Sequence, residues 1–242
     1  MSLRMLLESK NLDSTRLVMA TPYSLQVYEE VRSTQDVAAA GFAGRPLLVV
    51  AGRQTEGRGR SSRAWESAPR AMAASLAFRP SWEIDSWPRI PLVAGLAAAK
   101  VLGPGISLKW PNDVLLGEEK VGGILAEGSG DVLVVGCGLN LWWPDAPEGI
   151  GARWADDPGP DSVVVTATAW ADGFLQRLRA RPEDWGRSEY LALSGTVGRT
   201  VTWEPAGRGK AIDIGEEGSL IVETETGSER LIAGEVRHLR AV

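Results

Sequence analysis

The run Leu47-Leu48-Val49-Val50-Ala51 carries no polar side chain, and a stretch so short and so apolar reads as a strand buried within a sheet. It delivers the chain directly into an arginine-rich segment. Ala71 to Phe78 reads as a second strand, and Ile90 to Leu102 has helical composition closed by Gly103-Pro104-Gly105. Ser33 to Gly41 resembles a capped helix start, with a hydroxyl, then good helix formers, then glycine. Two further strands are expected on either side of Pro111-Asn112-Asp113, and Gly117 to Lys120 reads as a hairpin turn. Lys120 to Ala126 and Val132 to Gly138 continue the sheet, and the Pro-, Gly- and Asp-rich residues 144–160 read as a long loop. Val165 to Arg179 and Glu183 to Leu193 are helical by composition, with Pro182 between them. Residues 1–21 lack sustained periodicity and read as a frayed end or an added helix.

After Ser194-Gly195 the pattern changes. Thr200 to Trp203, Lys210 to Ile214, Leu220 to Thr224 and Arg230 to Leu239 are short alternating segments punctuated by glycines. That spacing suits a small all-β barrel of about 45 residues, which buries too little alone and is expected to lean on the larger unit.

Several chemistries are excluded cheaply. His238 is the only histidine, which rules out a His-Glu-x-x-His zinc site and disfavours His-based nucleophile machinery; it reads as an end-of-strand residue. The lone cysteine, Cys137, cannot form an internal disulfide, so a cytoplasmic location is expected, and its apolar setting reads as a buried small residue. No run has the length of a membrane span, and a net charge of −5 argues against a surface built to hold nucleic acid. Gly57-Arg58-Gly59-Arg60-Ser61-Ser62 lacks the third glycine of a dinucleotide turn, and no glycine-rich stretch ends in Gly-Lys-Ser/Thr.

Three segments carry candidate chemistry. Arg53, Arg58, Arg60 and Arg63 stand against one acid, Glu56, in a protein of acidic balance, which suits a small anionic ligand. In an extended loop Arg58 and Arg60 are expected to converge on one face, while the glycines between them admit close backbone approach. Arginine's planar fork suits phosphate and carboxylate. Lys109-Trp110-Pro111-Asn112-Asp113 joins a cation, an aromatic, a rigid bend, an amide and a carboxylate. Asp113 is a candidate for holding Mg²⁺ or orienting an amine, and Lys109 for neutralising a phosphate. Lys120-Val121-Gly122-Gly123-Ile124-Leu125-Ala126-Glu127 places a lysine at a strand rim, followed by glycines that let a flat ligand approach. Taken singly, each segment also fits an ordinary turn or exposed loop.

Taken in order, Ser33-Thr34, Gln54, Gly57-Arg58-Gly59-Arg60 with Arg63 and Trp65, Lys109 to Asp113, Lys120 to Glu127, and Gly136-Cys137-Gly138-Leu139-Asn140 resemble the biotin–protein ligase family from about residue 25 onward. The resemblance implies an α+β fold: a mixed sheet with flanking helices, related to the class II aminoacyl-tRNA synthetase core, plus a small C-terminal SH3-like β-barrel. Residues 1–24 would be an N-terminal extension, 25–193 the catalytic biotin- and ATP-binding domain, and 194–242 the SH3-like domain. Ser33, Thr34 and Gln54 would line the ureido end of the biotin pocket, with Trp65 supporting the binding loop. Gly57, Gly123 and Gly136 would let ligand close in. Arg58, Arg60 and Arg63 would order the loop over ligand, with Arg60 at the phosphate and carboxyl groups. Lys120 would contact the biotin carboxylate and the transferring oxygen. Lys109, Asn112 and Asp113 would sit by the phosphates, and Asn140 would hold phosphate or metal. Arg60, Lys109, Asp113 and Lys120 would be the catalytic set.

The implied reaction uses biotin, ATP and Mg²⁺, with a biotin carboxyl carrier domain of a carboxylase as acceptor. A homodimer is plausible by resemblance, and neither DNA nor a membrane is expected as a partner. The nearest alternatives are a lipoate or octanoate ligase or transferase of the same fold, and a non-catalytic biotin binder. A DNA-binding repressor would need a helix-turn-helix ahead of the core, for which residues 1–24 are too few. Ser61-Ser62 stands where the family usually has Arg or Gly, and residues 68–76 lack the family's usual glycines and aromatic, which puts ligand-induced ordering of the loop in question.

Overall fold

A computed structural model describes residues 15–17, 21–232 and 236–238. Its larger sheet comprises β1 (Thr15–Leu17), β2 (Ser24–Val31), β3 (Leu47–Gln54), β4 (Arg70–Phe78), β5 (Ile106–Lys109), β6 (Asp113–Leu116), β7 (Glu119–Ser129) and β8 (Val132–Trp142). Their spatial order is β1-β2-β3-β4-β8-β7-β6-β5. β2 and β3 pair in parallel, which demands a crossover, and α1 (Thr34–Gly41) supplies it. The other neighbours are antiparallel, so the sheet is mixed.

Alternation along β3 separates the two faces. Leu48 and Val50 join the main core with α2 (Ile90–Leu102) and α3 (Asp161–Arg177), whereas Leu47 and Val49 pack with Ala38 of α1. α2 is apolar nearly all round because it is enclosed by the sheet, α3 and the C-terminal region. Phe174 of α3 stacks on Trp170 at 5.5 Å between ring centroids and meets Phe78 of β4 edge-on at 5.8 Å.

The C-terminal strands β9 (Thr200–Trp203), β10 (Gly207–Ile214), β11 (Leu220–Thr224), β12 (Gly227–Leu231) and β13 (Val236–His238) form a five-stranded antiparallel sheet in the order β12-β11-β10-β9-β13. Val201, Ala211, Ile214, Leu220 and Val222 merge with the main core, so this sheet leans on the larger unit as expected.

Three expectations require correction. Thr15–Leu17 is a strand pairing with β2, not part of a frayed end or a helix; the rest of residues 1–20 lies outside the described residues. The helix expected over 183–193 is a short 3-10 turn, Pro182–Asp184, followed by α4 (Arg187–Ala192), because Gly186 between them takes φ +98°. The single strand expected over 230–239 is two, β12 and β13, which lie at opposite edges of the sheet and so cannot be continuous.

Replacing Phe174 by Ala should lower the unfolding free energy by about 3–5 kcal/mol, since two aromatic partners would face the resulting void. Chemical denaturation measures this, and a loss below about 1 kcal/mol would mean that α3 is not packed as described.

Candidate active site

Strand register brings the chemistry-bearing residues into one row. Ala73 of β4 faces Gly138 of β8, Gly138 faces Gly123 of β7, Gly123 faces Asp113 of β6, and Asp113 faces Lys109 of β5. A second row runs Ser75, Gly136, Leu125. Both lie on the α1 side of the sheet, because Ser75 and Gly136 are two residues from Ala77 and Val134, which pack with α1. α1 covers only part of this face. Beyond it the floor consists of small residues, and a cavity opens there.

Thr34, Gln54, Arg58, Arg60, Arg63, Trp65, Lys109, Asn112, Asp113, Lys120, Gly123 and Gly136 all line that cavity. At its polar end the Gln54 Oε1 accepts from the Thr34 backbone N–H at 2.8 Å and its hydroxyl at 3.0 Å, and Thr34 Oγ1 lies 2.8 Å from Ser75 Oγ. Gln35 donates to Glu127 at 2.9 Å, while its Oε1 is buried without a hydrogen-bond partner beside Gly136. A Cβ on Gly136 would sit 2.9 Å from that oxygen.

At the charged end Lys120 Nζ lies 2.6 Å from Asp113 Oδ1, and Lys109 Nζ lies 3.9 Å from Asp113 Oδ2. Asn112 donates to the Ile124 carbonyl, and Ile124 N–H donates back to the Asn112 carbonyl, which stitches the segment after Trp110 to β7. Lys120 is tied from the other side. Its N–H donates to Gly149 and its carbonyl accepts from Gly151, so the 144–160 loop holds it by the backbone.

The arginine loop is a tight hairpin rather than an extended strand: Trp65 N–H donates to the Gly57 carbonyl and Gly59 N–H to the Arg63 carbonyl. Its tip breaks the two-residue alternation, so Arg58 and Arg60 do not converge on one partner. Arg58 makes a paired contact with Asp36 at 2.8 and 2.9 Å and reaches Glu127 at 3.2 Å. Arg60 crosses to Asn112 Oδ1 at 3.3 Å. The hydrogen bonds from Arg58 hold the Asp36 carboxyl below its ordinary pKa, and Asp36 in turn raises that of Arg58. The ion pair therefore persists at neutral pH and is lost only as pH falls below the ordinary carboxylate range. At the tip, Ser61 adopts φ +55°, a left-handed conformation that glycine would take more easily.

Trp65 lies on the glycine floor, where a Cβ on Gly138 would come within 2.8 Å of its ring. Lys120 Nζ sits 5.7 Å from the ring centroid, and the indole N–H is buried without a partner.

Three expected site residues lie elsewhere. Ser33 is buried beside a second groove, its hydroxyl unpartnered. Gly57 packs beneath the Trp65 carbonyl, so it serves hairpin closure rather than ligand approach. Asn140 is buried and donates to the Gly151 carbonyl, which places it behind the loop that ties Lys120. Conversely, Gln35 and Ser75 line the cavity without having been expected there. Ser75 had a signal, as the lone polar residue in the otherwise apolar stretch Ala71 to Phe78. Cys137 also lines it, but burial pushes its thiol far above the usual range and leaves it unreactive.

Residues 27–140 match the biotin/lipoate A/B protein ligase family. The biotin--[acetyl-CoA-carboxylase] ligase of Mycobacterium tuberculosis is 34% identical over 228 residues, covering 84% of this chain and 83% of that protein. The enzyme of the same name from Paracoccus denitrificans is 33% identical over 230 residues, covering 82% of this chain and 92% of its own. Among solved structures, the biotin protein ligase of Aquifex aeolicus in complex with biotin and ATP superposes with a TM-score of 0.78 at 28% identity, over 90% of this chain and 99% of that one. With this likeness spanning most of both partners, and the cavity assembled from the motifs that suggested it, the chain belongs to the biotin–protein ligases of the biotin/lipoate A/B protein ligase family.

Proposed function

We propose that this chain activates biotin with ATP and transfers it to a lysine of a biotin carboxyl carrier protein. One observation carries the reading: a small-residue floor ends at one side in the Gln54–Thr34–Ser75 hydrogen-bond chain and at the other in the Lys109–Asp113–Lys120 charge cluster. A flat bicyclic acid with a polar ring edge and a carboxylate tail matches that layout. Its ureido group offers donors and an acceptor to Thr34, Gln54 and the unpartnered Gln35 Oε1. Its ring lies over Gly136 beside the Trp65 indole, which itself covers Gly138 and Gly123, and its chain runs along that indole toward Lys120.

The chemistry follows from charge. A carboxylate is a poor acyl donor, so one of its oxygens attacks the α-phosphorus of ATP and pyrophosphate leaves. The mixed anhydride then has AMP as leaving group. Lys120 and Arg60 stabilise charge on the carboxyl and phosphoryl oxygens, with Lys109, Arg58 and Arg63 adding to the positive field. Asn112, fixed between β7 and Arg60, orients the nucleotide side. The acceptor amine attacks the carbonyl carbon, loses its proton as AMP departs, and leaves a stable amide. Asp113 is a hydrogen-bond acceptor placed to orient that amine. We read Asn140 as acting on the same end through the 149–151 loop.

Mg²⁺ would enter with the phosphates of ATP and offset their charge. Asp113 does not fit as its ligand, since two ammonium groups already flank the carboxylate, and among the described residues no three His, Cys, Asp or Glu side chains cluster to hold a metal. We read the C-terminal five-stranded sheet as an SH3-like barrel of residues 194–242, appended to a catalytic unit of 25–193. The register shift between Ala211 and Asp213 bends β10 as barrel closure requires.

Incubating the protein with ATP, Mg²⁺, biotin, lipoate and both a biotin-carrier and a lipoyl domain, followed by intact mass, tests the reading. Biotin on the biotin carrier is expected, reduced by about a hundredfold or more in Lys120→Ala. Lipoate on the lipoyl domain would transfer the protein to the sister activity. A second outcome concerns the loop: Asp36→Asn should raise the KM for biotin about two- to fivefold with kcat little changed, the range an exposed ion pair supports. An unaltered KM would mean that the Arg58–Asp36 pair does not help close the loop.

A further inference from the structure

The Lys109–Asp113 segment lies at the edge of the larger sheet, yet it is not held by that sheet alone. Leu108 N–H donates to the Leu193 carbonyl at 2.8 Å, and Gly195 N–H donates to the Leu108 carbonyl at 2.9 Å. The junction between the two sheets thus runs parallel to β5 and closes its open edge through a bridge between Leu108 and Ser194. Two residues on, Trp110 N–H donates to the Thr196 hydroxyl at 2.9 Å, and its indole N–H donates to the Gly218 carbonyl, also at 2.9 Å. Trp110 and Thr196 are both buried.

The turn carrying Gly218 is itself anchored. Gly215 N–H donates to Ser219 and Gly218 N–H to Gly215, while the Glu216 carbonyl accepts from Arg89 at 2.8 Å and from the Trp185 indole at 2.8 Å. Gly218 has φ +88°, and a Cβ there would come within 2.9 Å of Leu92, so only glycine fits between the turn and α2.

Both nitrogen donors of Trp110 are therefore satisfied by the C-terminal region. Loss of either acceptor while the site stays closed would leave a buried N–H unpaired and loosen the seat of Trp110. Lys109 precedes Trp110 directly and Asn112 and Asp113 follow within three residues, so the indole's seat sets where these side chains stand relative to Lys120. We propose that Thr196, Gly218 and Trp110 form a positioning anchor for the reacting groups, through which the second sheet acts on adenylate formation rather than only on stability. This rests on the ligase reading above.

Three variants separate the roles. Trp110→Phe removes the indole donor, and Thr196→Val removes the hydroxyl without touching the cavity lining. Trp185→Phe deletes an equivalent indole bond to the same turn but lies away from Lys109–Asp113. Adenylate formation, measured by pyrophosphate release, should fall about ten- to a hundredfold in kcat for Trp110→Phe and Thr196→Val. Biotin dissociation constants should stay within about twofold of wild type. Trp185→Phe should lose comparable Tm but keep its kcat. Equal loss of turnover in all three at matched Tm, or wild-type kcat in Thr196→Val, would overturn the anchor. A wild-type chain that adenylates neither biotin nor lipoate removes the ligase reading instead, and the anchor falls with it. Should Trp110→Phe fail to fold, Thr196→Val against Trp185→Phe decides alone.

Discussion

Register aligns Ala73, Gly138, Gly123 and Asp113 across four strands, and the lack of side-chain bulk along most of that row keeps a cavity open in an otherwise close-packed protein. Glycine in a strand interior weakens the strand. Here that cost is offset on the opposite face, where Leu76, Val135, Ile124 and Val114 pack against α2 and α3. One face supplies the stability and the other supplies the space. α1 divides the second face, burying Val49, Ala77 and Val134 while leaving the adjacent positions for a ligand.

The charges are arranged on that frame by backbone ties rather than by their own attraction. Asp113 is about one-fifth exposed and flanked by Lys109 and Lys120, a grouping whose desolvation cost would favour dispersal were the strands not already fixed. Three separate restraints hold its members: the Asn112–Ile124 exchange, the 149–151 loop at Lys120, and the seat of Trp110. Such prior fixing is what lets charged groups stabilise a transition state without reorganising when it forms. The arginine hairpin adds a roof with two different hinges, Arg58 to α1 and β7, and Arg60 to the Lys109–Asp113 segment.

Much of the fold was legible because its strands are short apolar runs. β3 and β4 announce themselves by composition, and α2 has the same bounds in the sequence reading and in the structure. β2 was not, since Ser24–Val31 is only half-buried and carries Glu29 and Glu30 side by side near its end, so neither an apolar run nor clean alternation marks it. Most of the residues that line the cavity were named through motif order. Gln35 and Ser75 were not, because each is an unremarkable residue whose importance arises from facing Gly136 across a turn of helix or a strand pairing.

The amino-acid sequence by itself determined the residue types: a glycine-bearing strand pair, a clustered set of arginines, and a Lys-Trp-Pro-Asn-Asp segment with a lysine beyond it, enough to identify the family and the chemistry. Only the tertiary structure decided which groups meet. Local alternation directs Arg58 and Arg60 to one side, but the hairpin turns them to separate partners. Nothing local connects Trp110 to Thr196 and Gly218, or Asn140 to the loop behind Lys120. The Trp110 contacts join segments far apart in the chain, and the Asn140 contact folds a nearby loop back onto its strand; strand register and sheet docking set them, which no periodicity along the sequence encodes.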